Sequence, residues 1–332
     1  MRRAKQILII GRNPALGADL TALRWPAGTE IHSFDGPDVG LLDIERLRRN
    51  VEALAPDLIV SIVGSAANER AERDRTLTQA RSHWAVGDLA EVAGARNIPL
   101  LHLSSDQVFS GDRTTPYLES DAPDAISVFG QAQAAAEAEI RAHCRHHVIL
   151  RSGWLFGIHG HNMLRTMLSL GKRGGRVHIP HDHVSGPTPA RELCSALRQV
   201  ATVVLDTAAS DGAGHTVHFS ATPPATLFEF GRVALGHAAA YRVAAELVPI
   251  SPSRFGAIGA PARRTELDCA IARERFGLVQ PDWHEALAAC VDEICRTDTI
   301  VSEQDLSAAL VPMMPRRGAL PALLQRDRRR AV

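Results

Sequence analysis

The first strand-and-turn of this chain restricts its fold more than any other stretch. Gln6 to Ile10 (QILII) reads as a buried strand, and it stops at Gly11 of GRNPALG, which leads into the helical pattern ALGADLTALR. A strand apolar on both faces belongs in a parallel sheet covered on both sides. The pattern then repeats. Glu30 to Phe34 is a second strand ending at Asp35, and residues 42–64 read as a helix followed by a buried strand. ARSHWAVGDLAEVAGARN is a further helix, IPLLHLSS a strand, residues 130–142 a helix and HHVILRSGWLFG another strand. Strands alternating with helices of about ten to fifteen residues predict an α/β fold with a doubly wound parallel sheet.

Composition narrows the function classes. At 332 residues the chain can bury a full core as one two-lobed unit or two domains. Lys+Arg and Asp+Glu both number 37, and a balanced charge gives no electrostatic footprint for nucleic acid. The five cysteines (Cys144, Cys194, Cys269, Cys290, Cys295) lack metal-ligand spacing and predict buried free thiols in a reducing cytoplasm. The opening MRRAKQILIIG is too short for a secretion signal, and no stretch approaches the roughly 18 apolar residues of a membrane span. The expected location is cytoplasmic, with no membrane partner.

Residues 99–137 carry the chemistry. They contain Ser104-Ser105-Asp106-Gln107-Val108-Phe109-Ser110-Gly111, then Pro116-Tyr117-Leu118-Glu119-Ser120-Asp121, then Phe129-Gly130-Gln131-Ala132-Gln133. In this order the segment resembles the active-site stretch of the dTDP-4-dehydrorhamnose reductase family, a branch of the extended short-chain dehydrogenases. That family writes S-T-D-x-V-F-x-G, P-Y-x-E-x-D and Y-G-x-S-K. Further landmarks follow: Arg151 to Trp154 for R-x-x-W, Asp182 to Thr188 for the D-Q-x-G-x-P-T loop, and Thr265 to Asp268 for S-x-L-D. The resemblance covers roughly residues 5 to 296. It implies a Rossmann-type domain over 1–155, a smaller α/β substrate lobe over 156–296 with interleaved elements, and a C-terminal extension over 297–332 ending RDRRRAV.

The resemblance also implies what has been lost. Ketone reduction needs a proton at the oxygen as hydride reaches the carbon. The family's tyrosine supplies it, tuned by a lysine four residues on, where both share one helix face. The aligned residues are Phe129, which has no hydroxyl, and Gln133, which has no charge. Ser105 keeps the Ser/Thr position and can hydrogen-bond a carbonyl, while Ser82 takes the place of an asparagine in the proton relay.

The implied cofactor residues are Gly11, Pro14, Leu16, Gly17, Asp35, Asp43, Ile44, Ile62, Val63 and Gly64. A glycine turn lets the backbone approach a pyrophosphate, but Pro14 stands at the family's middle glycine. Proline either starts the helix, where it is favoured, or crowds the phosphate. Ile62 and Val63 are bulkier than the alanines expected to face a nicotinamide. NAD(P) binding and its absence both stay open at this point. The implied substrate residues are Ser104, Gln107, Trp154, Asn162 and Thr188. Trp154 stacks on a sugar or serves as a core aromatic.

HIPHDHVSG (178–186) is dense in histidine, yet no first shell of ligands accompanies it and no metal site is expected. His143, His146 and His147 are expected at a helix end, where imidazolium complements the dipole. Two readings result. One is a ligand-binding or regulatory pseudoenzyme whose ligand is a small molecule such as a nucleotide sugar, with a protein partner or a homodimer; the β subunit of methionine adenosyltransferase shows this family in such a role. The other is an NAD(P)H-dependent nucleotide-sugar reductase with a relocated proton donor, or an enzyme repurposed in the same cleft.

Overall fold

A computed structural model describes residues 3–11, 15–34, 41, 43–63, 74–207, 214–250 and 263–297. Pro14, Asp35, Gly64 and the chain after residue 297 lie outside the described residues. Six strands form the central sheet: β1 (Lys5–Ile10), β2 (Thr29–Phe34), β3 (Leu58–Ser61), β4 (Leu100–Ser105), β5 (His147–Ser152) and, much later in the chain, His215–His218. Their order runs β2, β1, β3, β4, β5, then His215–His218, and every pairing is parallel. The order reverses between β1 and β3, and open sheets of this kind bind ligands at such a switch point.

Helices cover both faces. Ile7, Ile9, Val60, Leu101 and Leu150 pack under the long helix Ala190–Thr207, while Leu8, Ile10, Ile59, Leu100 and Ile149 pack under Ile44–Leu54, Ala85–Ala95 and Val128–His143. Alternate strand residues enter opposite cores, which is why these strands are apolar throughout. The expected helix at 80–97 begins earlier, at Arg75, and contains a π-helical turn over Ala80–Trp84.

The remaining elements form a second layer with its own core. Helices Met163–Arg173, Leu227–Ala238 and Trp283–Arg296 enclose Phe156, Leu164, Phe230 and Trp283. The parallel pair Arg176–Pro180 and Glu246–Ile250 closes one side. Two sequence expectations change here. Cys290 and Cys295 are half-buried, because their helix turns one side to solvent, while Cys144, Cys194 and Cys269 are buried as expected. His143 ends a helix, but His147 begins β5, with Nδ1 bonded to the Cys144 carbonyl and burial lowering its pKa. Among the described residues, no helix is long and apolar enough to cross a membrane, and no group of three or more ligating side chains could hold a metal ion.

Candidate active-site cleft

The cleft is organised by the end of β4. Ser104 and Ser105 close the strand, and Asp106–Val108 form one 3-10 turn. Because strand residues alternate, the two serines face opposite ways. Ser105 Oγ donates to Asp106 Oδ1 at 3.1 Å and accepts from the Gln107 N–H at 3.2 Å. The buried Asp106 carboxylate also accepts from Ser185 Oγ at 2.6 Å and from Thr265 Oγ1 at 2.5 Å. One carboxylate thus ties the strand end to the 182–188 loop and to the segment after residue 263.

Ser104 turns the other way, onto the helix Val128–His143, which we call α5. Its hydroxyl donates to Glu137 Oε1 at 2.7 Å. Glu137 is fully buried and holds a bidentate bond from Arg151 of β5, Nε at 2.8 Å and Nη2 at 2.6 Å. Arg141 adds a bond at 2.9 Å. Burial alone would raise the Glu137 pKa, but the bonds and charge of Arg151, with Ser104 and Arg141, hold it below the ordinary carboxylate range. Arg151 also donates to His218 Nε2 at 3.3 Å, so the ring proton sits on Nδ1, facing the Asp268 carbonyl at 3.1 Å. Burial, then the Arg151 charge, pushes His218 down to about 3. His102, beside Ser61 at 3.1 Å, is pushed down to about 4 by burial. Both imidazoles are neutral at pH 7 and poor proton donors.

Phe129, Gln133 and Glu137 follow at four-residue spacing and therefore share a face of α5. Phe129 and Gln133 are both buried, at 7% and 2% exposure. Ser127 caps the helix by accepting from the Gly130 N–H at 3.0 Å. At Gly130 a methyl group would lie 2.0 Å from the Gln107 carbonyl oxygen. The first turn of α5 is thus pressed against the turn after Ser105, which seats Phe129 beside it. The π-helical turn, with buried Ser82, packs against the same helix.

The described cofactor positions divide. Gly11 ends β1 at φ +105°, and a Cβ there would meet the backbone of Ile62 and Val63 at 3.0 Å. Gly17 opens the first helix, Gly17–Ala22, with no atom within 4 Å of a placed Cβ. Gly11 is therefore required by a close backbone crossing of β1 with the segment after β3 at the switch point. Ile62 and Val63 need correction: their side chains enter the two cores, and only their backbone faces Gly11. Leu16 is likewise core, and Asp43 caps the helix Ile44–Leu54 by accepting from the Arg46 N–H, with Ile44 packed on the core. At Phe129 and Gln133 the α5 face offers neither a proton-donating acid nor a cation.

Among the implied substrate residues, Trp154 packs edge-on against Phe230 at 4.7 Å, and its carbonyl accepts from the Thr188 N–H. Thr188 is fully buried, its hydroxyl on the Gly186 carbonyl. Asn162 caps Met163–Arg173 and donates to the Gly157 and His159 carbonyls, so its polar atoms are engaged in holding its own loop. Gln107 is buried beneath α5. A cavity of about 200 Å³ lies elsewhere, between Pro116, Ser220, Asp268, Cys269 and Arg273. None of the implied substrate residues borders it, although Gly186 of the 182–188 loop does. Glu137 was missed in the sequence, although its place eight residues beyond Phe129 was a usable signal.

Comparison with known proteins agrees with this geometry. The family model described as the RmlD substrate binding domain matches residues 5–296. The dTDP-4-dehydrorhamnose reductase of Escherichia coli K12 is 27% identical over 89% of this chain and 99% of its own. The enzyme of Sinorhizobium fredii is 27% identical over 85% of this chain and 95% of its own. The crystal structure of the Bacillus anthracis dTDP-4-dehydrorhamnose reductase in complex with NADP is 25% identical, with a TM-score of 0.78 over 87% of this chain and 99% of that one. The fold also matches DesIV, a dTDP-glucose 4,6-dehydratase from Streptomyces venezuelae with NAD and TYD bound, at 16% identity and a TM-score of 0.72, covering 89% and 98% of the two chains. The chain belongs to the dTDP-4-dehydrorhamnose reductase family, whose RmlD substrate binding domain it carries over nearly its whole length.

Proposed function

We propose that this chain is a ligand-binding member of the family without ketone reductase activity, a cytoplasmic pseudoenzyme whose cleft holds a nucleotide sugar. One observation carries the reading. The α5 face that borders the Ser104–Ser105 strand end presents a buried phenyl ring and a neutral amide where proton delivery needs an acid and a cation. Losing a positioned acid costs on the order of 10²–10⁴ in rate. His102 and His218 do not replace it, being buried and neutral. NAD(P) enters this proposal as a ligand of the switch point after β1, where Gly17 opens the first helix with nothing packed within 4 Å of a placed Cβ. The relative solved with NADP supports that part.

A second reading, a nucleotide-sugar reductase with a relocated donor, is favoured by similarity to reductases across 89% of the chain. Following nicotinamide absorbance with dTDP-4-dehydrorhamnose and NADH or NADPH separates the two. We expect turnover far below about 1 s⁻¹, an ordinary enzyme value. Turnover above that establishes the second reading. Phe129→Tyr combined with Gln133→Lys raises trace activity if a dinucleotide binds, which calorimetry with NADP⁺ reports independently.

A further inference from the structure

The cavity of about 200 Å³ set apart from the cleft has no part in the reading above, and its lining carries both signs of charge. Ser220 and Ala221, just after His215–His218, are buried in its wall with Cys269. The half-buried Glu266 and Asp268 also line it, and the exposed Arg273 stands at its mouth. Local structure brings these groups together. The Tyr117 N–H donates to the Glu266 carbonyl at 2.8 Å and the Asp268 N–H to the Tyr117 carbonyl at 2.9 Å, which fixes the 266–268 segment. The helix Ala270–Phe276 follows, and Cys269 and Arg273, four residues apart, share the side that borders the cavity.

The pairing of the charges is the informative point. Glu266 is bonded by Arg264. Asp268 Oδ1 accepts only from the Ala270 N–H, at 2.8 Å. Among the described residues, neither Asp268 nor Arg273 has an ion pair, and no hydrogen bond engages the Arg273 guanidinium. A carboxylate and a guanidinium thus border one space without closing on each other.

That arrangement restricts what can occupy the space. A lone anion would meet the Asp268 and Glu266 carboxylates, and a lone cation would meet Arg273; like charges brought together cost affinity. A molecule carrying both signs makes a charge-assisted hydrogen bond at each end. Size restricts it further. A cavity of roughly 150 Å³ holds benzene, so this one admits on the order of ten non-hydrogen atoms. A nucleotide sugar or a dinucleotide is several times too large. The geometry points to a second ligand site, for a small α-amino acid, with its ammonium on Asp268 and its carboxylate on Arg273. Pro116, Ala221 and Pro224 supply apolar wall for a short side chain. The inference does not depend on what the cleft binds.

The test is calorimetry on the full chain with glycine, L-alanine, L-serine and L-threonine as probes. Ethylamine and propionate, each alanine stripped of one charged group, are the comparisons. We expect at least one of the four to bind, and both comparisons to bind about tenfold more weakly or worse, since a hydrogen bond to a charged group is worth at least that much. Asp268→Asn and Arg273→Gln should each lose about tenfold for the same reason. Asparagine keeps an oxygen for the Ala270 N–H and Arg273 is exposed, so both variants should melt close to wild type. The ethylamine and propionate comparison needs no variant at all. No binding of any of the four at about 10 mM, well above the millimolar affinity that so small a ligand can reach, overturns the proposal. A comparison compound that binds as well as the amino acid also overturns it, as does unchanged affinity in either variant.

Discussion

Gly130 has no room for a methyl group. The Gln107 carbonyl oxygen would lie 2.0 Å from it, and both are backbone positions that cannot turn aside. We predict that Gly130→Ala lowers stability by roughly 1–3 kcal/mol, the usual cost of overpacking. It should also push Phe129 away from the strand end, which thermal melting and Phe129 side-chain NMR would reveal. An unshifted melting temperature would show that α5 and the turn are not in contact. At this scale the sequence was legible where spacing carries meaning. Phe129 and Gln133 were identifiable because four residues on a helix return to the same face. Ile62 and Val63 were misread because the sequence gives a residue type but not which face of the strand it occupies. Backbone approach to Gly11 depends on that distinction.

The interface between α5 and the sheet is held by charge as well as by apolar contact. Glu137 and Arg151 are both fully buried, with Arg151 also over the Phe109 ring at 4.9 Å. Breaking a buried pair from one side leaves an uncompensated charge and costs about 3–5 kcal/mol. Glu137→Gln should therefore destabilise by that order in urea titration. Replacing both partners with apolar residues should cost far less. A loss below about 1 kcal/mol, typical of an exposed pair, would refute the buried geometry. This element-scale feature was hidden in the sequence because a charge in AAAEAEIRAH ordinarily marks a solvated helix face. The π-helical turn over Ala80–Trp84 was hidden for a different reason. A single wider turn spans only five residues, too few to carry a periodicity of their own.

At the scale of the molecule, two buried histidines make stability depend on pH. His102 and His218 stay neutral in the fold down to about 4 and about 3, whereas an unfolded imidazole titrates near 6.5. The unfolded chain therefore binds more protons below pH 6.5, and stability falls as pH falls. Each histidine contributes about 1.4 kcal/mol per pH unit across that window. For His102 the contribution ends near pH 4, where Glu137, with its lowered pKa, begins to add a loss of the same sign. Denaturant unfolding at pH 7, 6 and 5 should give free energies that decline steadily, and His102→Asn should flatten the decline. A constant value over that range would contradict both burials. The sheet itself was largely legible, since alternating apolar runs and helices specify β1 to β5. The sixth strand was not. Its four residues, HTVH, carry too little pattern, and its partner lies far back in the chain.

That late strand has a consequence for how the protein is made. When a ribosome has delivered Ser152, the sheet ends at β5, with HVILRS offering open backbone groups along one side. The strand that covers it begins at His215, roughly 60 residues and on the order of 3–12 s of synthesis later. For that interval the nascent chain exposes an apolar edge of the kind that recruits other chains. Arg151 meanwhile lacks His218, its neighbour on the covering strand. A chain stopped near residue 155 should consequently aggregate, although it contains five of the six strands, whereas one stopped near residue 297 should stay in solution. Centrifugation of the two released products would compare them directly.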